Sequence, residues 1–185
     1  LALAVGAGVA SGSGLTVGHE LGHKPDWPAQ LGAKLVNAVT GYAHFCIEHN
    51  RGHHIMVATP EDPASARFGE NVYRFALREL PGTARRGWAM ERDRLTKKGL
   101  PFWHWRNDLL QGYAITLAVA IALALWLGPW VLPFVVLHHF VGWLQLTLAN
   151  YVEHYGLLRR KLPSGRYEPC QPHHSWNTNH IASNL

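Results

Sequence analysis

Three histidines fall within six residues in Glu48-His49-Asn50-Arg51-Gly52-His53-His54. On an α-helix, His49 and His53 lie one turn apart on the same face, and His54 lies roughly 100° around the helix from His53. Imidazole is a ligand for Zn, Cu, Fe and Ni, so a cluster of this kind is typical of a metal site. The segment therefore predicts metal binding near the end of a helix.

Two other segments carry histidines in patterns that suit the same site. His19-Glu20-Leu21-Gly22-His23-Lys24 places a second pair one helical turn apart, upstream of the first cluster. A further histidine stands in Asn150-Tyr151-Val152-Glu153-His154-Tyr155-Gly156-Leu157, just after the most apolar part of the chain. Six imidazoles exceed what one ion normally takes from a protein, so we interpret the three segments as one centre for two metal ions. The candidate ligands are His19, His23, His49, His53, His54 and His154.

Each histidine segment also contains a glutamate beside a candidate ligand, namely Glu20, Glu48 or Glu153. A carboxylate often accepts a hydrogen bond from the ring nitrogen that does not bind the metal, and this bond orients the imidazole. We therefore consider these glutamates as orienting partners of the ligands. A solvated carboxylate is an equally good interpretation of each.

The most apolar part of the chain predicts a transmembrane hairpin. Residues 109–149 contain no Asp, Glu, Lys or Arg and divide at Gly128-Pro129 into two runs. Each run is long enough to cross a ~30 Å hydrocarbon core as a helix. The outer flanks are basic, at Arg106 and at Arg159-Arg160-Lys161, so the positive-inside rule places them, and His154 with them, at the cytoplasmic face. We expect an integral protein of the cell inner or plasma membrane whose metal site faces the cytoplasm.

Further helices are expected on either side of the first histidine cluster. Residues 1–24 read as an apolar helix that Pro25 ends. Apolar periodicity predicts one helix over 30–57. Residues 64–107 are rich in Arg, Lys and Trp and predict two amphipathic helices, separated by Pro81-Gly82, that lie at the lipid headgroup surface. Acidic residues are interspersed there and membrane spans are adjacent, which argues against nucleic-acid binding.

Composition supports one membrane-bound, all-α domain over residues 1–185. The chain is 48% hydrophobic and 16% charged, and it contains eight Trp, which excludes a disordered chain. Cys46 and Cys170 form no CxxC pair, so we expect reduced thiols and no zinc ribbon. The ends carry no ordinary start or stop features, and we expect a fragment of a longer protein.

Two other functions fit part of the histidine pattern. Residues 19–23 spell H-E-x-x-H, the motif of zinc proteases in which the Glu activates a metal-bound water. An intramembrane zinc protease is therefore an alternative, although it leaves several histidines without a use. A metal-ion carrier would string its ligands through the bilayer, where only His138 and His139 lie, and we expect packing roles for those two. The sequence does not assign roles to His173, His174 and His180.

The three histidine segments, in this order and with a hairpin between the second and third, resemble the signature boxes of the membrane alkane hydroxylases, or alkane monooxygenases. The resemblance covers residues 19–157, and residues 175–185 resemble the next part of the chain in that family. More distantly, the chain is similar to membrane desaturases and to xylene monooxygenase. Those proteins share histidine boxes but lack the 150–157 signature in this form.

The resemblance implies a non-haem di-iron centre held by histidine, six helical spans, and terminal hydroxylation of medium- or long-chain alkanes with O2. It also implies electrons from rubredoxin, which an NAD(P)H-dependent reductase reduces. Carried over by motif, the iron ligands are the six histidines named above. The family's last His-x-x-His-His box would lie beyond Leu185. A related membrane di-iron hydroxylase or desaturase acting on other hydrophobic substrates is the neighbouring alternative.

Overall fold

The structure is a computed structural model that describes residues 1–176. These residues form a helix bundle with no strand and one isolated antiparallel bridge, between Lys161 and Tyr167. The predicted all-α class is confirmed, and Cys46 and Cys170 are free thiols as predicted. In chain order the elements are α1 (Ala2–Gly22), α2 (Trp27–Val39), α3 (Phe45–Glu48), a π-helical turn (His49–His53), α4 (His54–Met56), α5 (Val72–Lys97), α6 (Asp108–Leu127), α7 (Val131–Glu153) and a 3-10 turn (Pro172–His174).

Helices α6 and α7 form the predicted hairpin. Only 11% of the most apolar stretch of α6 and 22% of that of α7 is buried within the chain. Apolar helices that the protein leaves uncovered need another apolar surrounding, and both are long enough to span a ~30 Å hydrocarbon core. The chain is therefore a membrane protein. Gly128, at a φ of 85°, makes the turn between the two helices.

Helix α1 packs closely against α7 through glycines. A Cβ at Gly8 would lie 2.6 Å from Cβ of Val141, and one at Gly12 would overlap the side chain of Gln145. Small residues of this kind let membrane helices approach each other. Because the contacts advance together along both helices, α1 and α7 run parallel. Their C-terminal ends, which carry histidines, therefore lie at the same end of the bundle.

The predicted single helix over 30–57 is wrong. Helix α2 ends at Val39, Gly41 adopts a φ of 66°, and α3 begins only at Phe45. Glycine takes this left-handed conformation without a steric penalty. Apolar periodicity did not reveal the break, because buried side chains before and after it, Ala38 and Phe45, both face the interior. The turn redirects the chain so that α3 packs against α5 and α1.

The predicted break at Pro81-Gly82 is also wrong, since α5 continues through Pro81. A proline inside a helix removes one backbone hydrogen bond and usually bends the helix. Here side chains anchor the helix on both sides of the proline. Arg78 binds Glu70 before it, and Arg86 binds Glu48 beyond it. The two amphipathic helices expected over 64–107 are therefore one long helix followed by a loop.

Candidate metal centre

Four imidazoles from two parts of the chain converge at the C-terminal end of α1. His19 lies in the last turn of α1 and His23 caps it, whereas His49 and His54 belong to the π-helical turn and to α4. The Nε2 atoms of His19 and His23 are 2.8 Å apart, and those of His49 and His54 are 2.9 Å apart. One nitrogen from each of the four lies within 4.8 Å of the others. This donor set fits a metal ion that prefers imidazole.

The π-helical turn determines which histidines share this position. In a π-helix the backbone hydrogen bond runs from residue i to i+5, so His54 comes back over His49. Their ring centroids are 4.4 Å apart. Regular α-helical spacing predicted that His49 and His53 would share a face. Their rings are indeed stacked, with centroids 5.1 Å apart, but the π turn also brings His54 to His49, and the four-histidine group contains His54 and not His53.

His53 faces His154 beside the four-histidine group. Both are buried, with 5% of each residue exposed, and their ring centroids are 5.0 Å apart. The His53 ring also lies 5.1 Å from that of His49. The structure thus brings all six predicted ligands into one cluster, four around one position and two directly beside it.

Asp62 is the buried carboxylate that contacts a candidate ligand, and sequence reasoning missed it. Its Oδ2 atom lies 2.9 Å from Nδ1 of His53 and accepts a hydrogen bond from Oγ of Ser65 at 2.6 Å. A carboxylate at Nδ1 orients the ring and leaves Nε2 for a metal. Asp62 follows His53 by nine residues and has no helical relation to it. The only available signal was a carboxylate in the proline-rich turn Pro60-Glu61-Asp62-Pro63 directly after the cluster.

The three glutamates proposed as orienting partners are placed differently. Glu48 is buried and binds Arg86, not a histidine. Glu20 has a 74% exposed side chain and lies 3.5 Å from Nδ1 of His19. Glu153 lies 3.8 Å from Nε2 of the adjacent His154, which is beyond hydrogen-bond distance.

Comparisons with known proteins agree with this geometry. A family model described as fatty acid desaturase matches residues 1–185. The chain belongs to the fatty acid desaturase family. Within this similarity, it is 52% identical to an alkane 1-monooxygenase of Pseudomonas putida and 53% identical to alkane 1-monooxygenase 1 of Alcanivorax borkumensis, over the whole chain in both cases. It is 30% identical, over 88% of its length, to a xylene/toluene monooxygenase hydroxylase component of Pseudomonas putida.

The resemblance to the alkane monooxygenases is therefore confirmed. This desaturase-family chain spans 46% of the length of the two alkane 1-monooxygenases and 43% of the xylene/toluene component.

Burial keeps histidines of this desaturase-family site in the neutral form that binds metals. Desolvation, reinforced by neighbouring imidazoles, lowers the pKa of His49 to about 2. Desolvation lowers the pKa of His154 to about 4. Burial opposes ionisation of Asp62, but hydrogen bonds from His53 and Ser65 and the nearby positive charge hold its pKa well below the usual range. At neutral pH His49 and His154 are therefore neutral, with ring lone pairs that can bind a metal, and Asp62 is ionised beside them.

Three histidines outside the cluster, His138, His139 and His174, form hydrogen bonds within residues 1–176. His138 and His139 bond to residues of α1 and α2, at 2.7 Å and 3.1 Å, in line with the packing roles expected for them. His174 supports the site through its backbone, because its carbonyl oxygen accepts a hydrogen bond from Nδ1 of His154 at 3.2 Å. His173 is exposed. His180 lies outside the described residues.

Proposed function

We propose that this chain is the metal-binding part of an alkane 1-monooxygenase that hydroxylates the terminal methyl group of medium- or long-chain alkanes. The observation that carries the proposal is the convergence of four imidazoles in the segments that resemble the alkane monooxygenase boxes. Names of relatives at 52% and 53% identity support the reaction class. In the reaction, one atom of O2 enters the alkane and the other leaves as water, with electrons supplied by rubredoxin and its NAD(P)H-dependent reductase.

The cofactor in this proposal is a pair of non-haem iron ions. His19, His23, His49 and His54 would hold one ion, and His53 and His154 would contribute to the second. Iron bound there would supply the redox chemistry that activates O2. The all-imidazole donor set suits iron but does not by itself select it over zinc or copper.

The neighbourhood of the cluster suits an apolar substrate. The ring of Phe45 lies 4.9 Å from that of His49 and 6.3 Å from that of His19. Leu15, one turn before His19 on α1, is fully buried against Phe45. These side chains cover the cluster on the side that continues into the apolar helices. An alkane dissolved in the bilayer would approach from that side, and the protein would orient its chain end and exclude water.

The electron donor would reach the cluster from the opposite, basic side. Following the positive-inside rule, we assign that side to the cytoplasm. Arg85 and Arg92 are exposed on α5 and can attract an acidic donor by charge complementarity. Arg86 does not belong to this surface, because it is bound to Glu48 and Asp62 inside the protein.

A zinc protease is the less suitable reading of the H-E-x-x-H segment. A catalytic zinc keeps one position open for water. In this protein His49 and His54 join His19 and His23, which gives four imidazoles around one position. Glu20, which would have to activate the water, has a largely exposed side chain.

The test is hydroxylation of n-octane by the full-length protein carrying this sequence, in liposomes with reduced rubredoxin and ¹⁸O2. The expected product is 1-octanol that carries the label. His54→Ala should abolish it, whereas His173→Ala, which changes an exposed histidine outside the cluster, should not. Absence of labelled alcohol from iron-loaded protein with a reduced donor and a range of alkane lengths would contradict the proposal.

A further inference from the structure

Arg86 occupies a partly buried position directly behind the π-helical turn. Only 17% of its side chain is exposed. Its Nε donates to Oε1 of Glu48 at 2.6 Å, and its Nη2 donates to Oδ1 of Asp62 at 2.7 Å and also contacts Glu48. Arg86 belongs to α5, Glu48 ends α3, and Asp62 lies in the turn after α4. One guanidinium therefore joins three segments that surround His53.

The close approach of Arg86 explains the glycine inside the histidine cluster. A Cβ at Gly52 would lie 2.7 Å from Nε of Arg86 and 3.0 Å from its Cζ. Atoms at such distances overlap, so a larger residue would push the guanidinium away from its two carboxylates. The sequence Arg51-Gly52-His53 thus leaves room for an arginine that lies more than thirty residues later in the chain.

The carboxylate of Asp62 has two sides with different partners. Oδ2 faces Nδ1 of His53 and the hydroxyl of Ser65. Oδ1 accepts from Arg86, and from the backbone N–H of Ala64 at a longer 3.3 Å. The guanidinium is therefore the main side-chain partner that holds the far oxygen of this carboxylate. If it is removed, the carboxylate can turn, and the orientation of His53 is lost with it.

We propose that Arg86 is a positioning residue for His53 and acts on it through Asp62. This inference rests on the proposed function, because it takes His53 as an iron ligand. The planar guanidinium contacts Glu48 and Asp62 at once, which the single ammonium group of a lysine does not reproduce. The positive charge of Arg86 also offsets one of the two negative charges of Glu48 and Asp62. A buried charge without a partner is strongly destabilising. Arg86 therefore links the fold of α5 to the geometry of one metal position.

The test compares Arg86→Lys with Arg85→Lys in the full-length protein carrying this sequence. Arg85 is the neighbouring, exposed residue of α5, so the same chemical change is made away from the network. Both variants and the wild type are loaded with ⁵⁷Fe in detergent. Iron per chain, resistance to a chelator and the Mössbauer spectrum are measured, so the readout does not depend on turnover.

Arg86→Lys should weaken the binding of one iron of the pair roughly 10- to 100-fold, the usual effect of removing support from a ligating histidine. The other iron and both irons of Arg85→Lys should behave as in the wild type. Selective loss separates positioning from general destabilisation, which would weaken both irons together. Retention of both irons, or equal loss of both, would overturn the inference.

A second variant covers the case in which Arg86→Lys does not fold. Glu48→Gln combined with Arg86→Gln removes a pair of opposite charges and leaves the net buried charge unchanged. It should show the same selective loss of one iron, and wild-type retention of both would refute the role of Arg86. If the wild type itself binds no pair of irons, the proposed function fails and the inference fails with it, whereas a wild type that binds both irons and an Arg86→Lys variant that keeps both overturn the inference alone.

Discussion

Glu79 is a buried carboxyl group that should make the stability of this protein depend on pH. It lies on α5 with 1% of its surface exposed. Its oxygens accept hydrogen bonds from Oγ1 of Thr147 at 2.8 Å and Nδ2 of Asn150 at 3.2 Å, both on α7. Within residues 1–176, no Lys or Arg forms an ion pair with it. Burial raises its pKa from 4.5 to about 7, although these two hydrogen bonds oppose the shift.

The size of the effect can be worked out from the two pKa values. The difference between 7 and 4.5 corresponds to about 3 kcal/mol, at ~1.4 kcal/mol per pKa unit. The folded chain binds the proton more tightly than the unfolded chain does. The stabilisation is therefore complete below the unfolded value and is lost as the pH rises through about 7. Glu79→Gln keeps the site neutral and removes this dependence, so between acidic and alkaline pH the variant should gain about 3 kcal/mol relative to the wild type.

The assay is reversible unfolding of metal-free wild type and Glu79→Gln in mixed micelles at a series of pH values. Taking the difference between the two proteins cancels the titration of the histidines. Glu70→Gln is the matched control, because bonds from Arg78 lower the pKa of Glu70. The ionised Glu70 carboxylate stabilises the fold, and this stabilisation is lost only as the pH falls through acidic values. The difference in unfolding free energy between Glu70→Gln and the wild type should therefore stay flat around neutral pH. A flat difference for Glu79→Gln over the same range would show that folding does not raise the pKa of Glu79.

Three further substitutions test the contact between α1 and α7, the turn after α7 and the support of His53. Gly8→Ala should destabilise the protein by about 1–3 kcal/mol, because the added Cβ overlaps Val141. Gly6→Ala is the control, since a Cβ at Gly6 has no atom within 4 Å, and it should be neutral or stabilising in the same unfolding measurement. Equal effects of the two substitutions would contradict the close contact between α1 and α7. Gly156 has a φ of 71°, so Gly156→Ala should lower the free energy of unfolding by about 1–3 kcal/mol. Unchanged thermal unfolding would show that alanine adopts this conformation without strain. Asp62→Asn should lower the affinity for one iron roughly 10- to 100-fold, and metal titration showing wild-type affinity would remove Asp62 from the support of His53.

The sequence was sufficient to predict the hairpin and the meeting of the three histidine segments. The charge-free run over 109–149 predicts the hairpin from composition alone, and its basic flanks place His154 at one face, where the short chain between Lys24 and His49 can bring the two upstream segments. The breaks in the backbone were harder to predict. Gly41 ends an apolar pattern that looked continuous, and Pro81 lies in a helix that continues because side chains hold it from both sides.

The grouping of the ligands could not be predicted from α-helical spacing. The π-helical turn moves His54 over His49 and leaves His53 facing His154, and five residues of sequence do not distinguish this turn from an α-helix. The support of His53 depends on Asp62 and Arg86, which reach the site through folding of the chain and not through any local pattern. Glu48 directly precedes His49 in sequence, but its partner is Arg86, which lies 38 residues later in the chain.

The most direct measurement is metal content, with X-ray absorption, of the purified full-length protein carrying this sequence, in the wild type and in His19→Ala, His49→Ala and His54→Ala. We expect a pair of iron ions per chain in an imidazole-rich environment, with iron lost in all three variants. One zinc per chain that is lost in His19→Ala but retained in His49→Ala and His54→Ala would contradict this expectation.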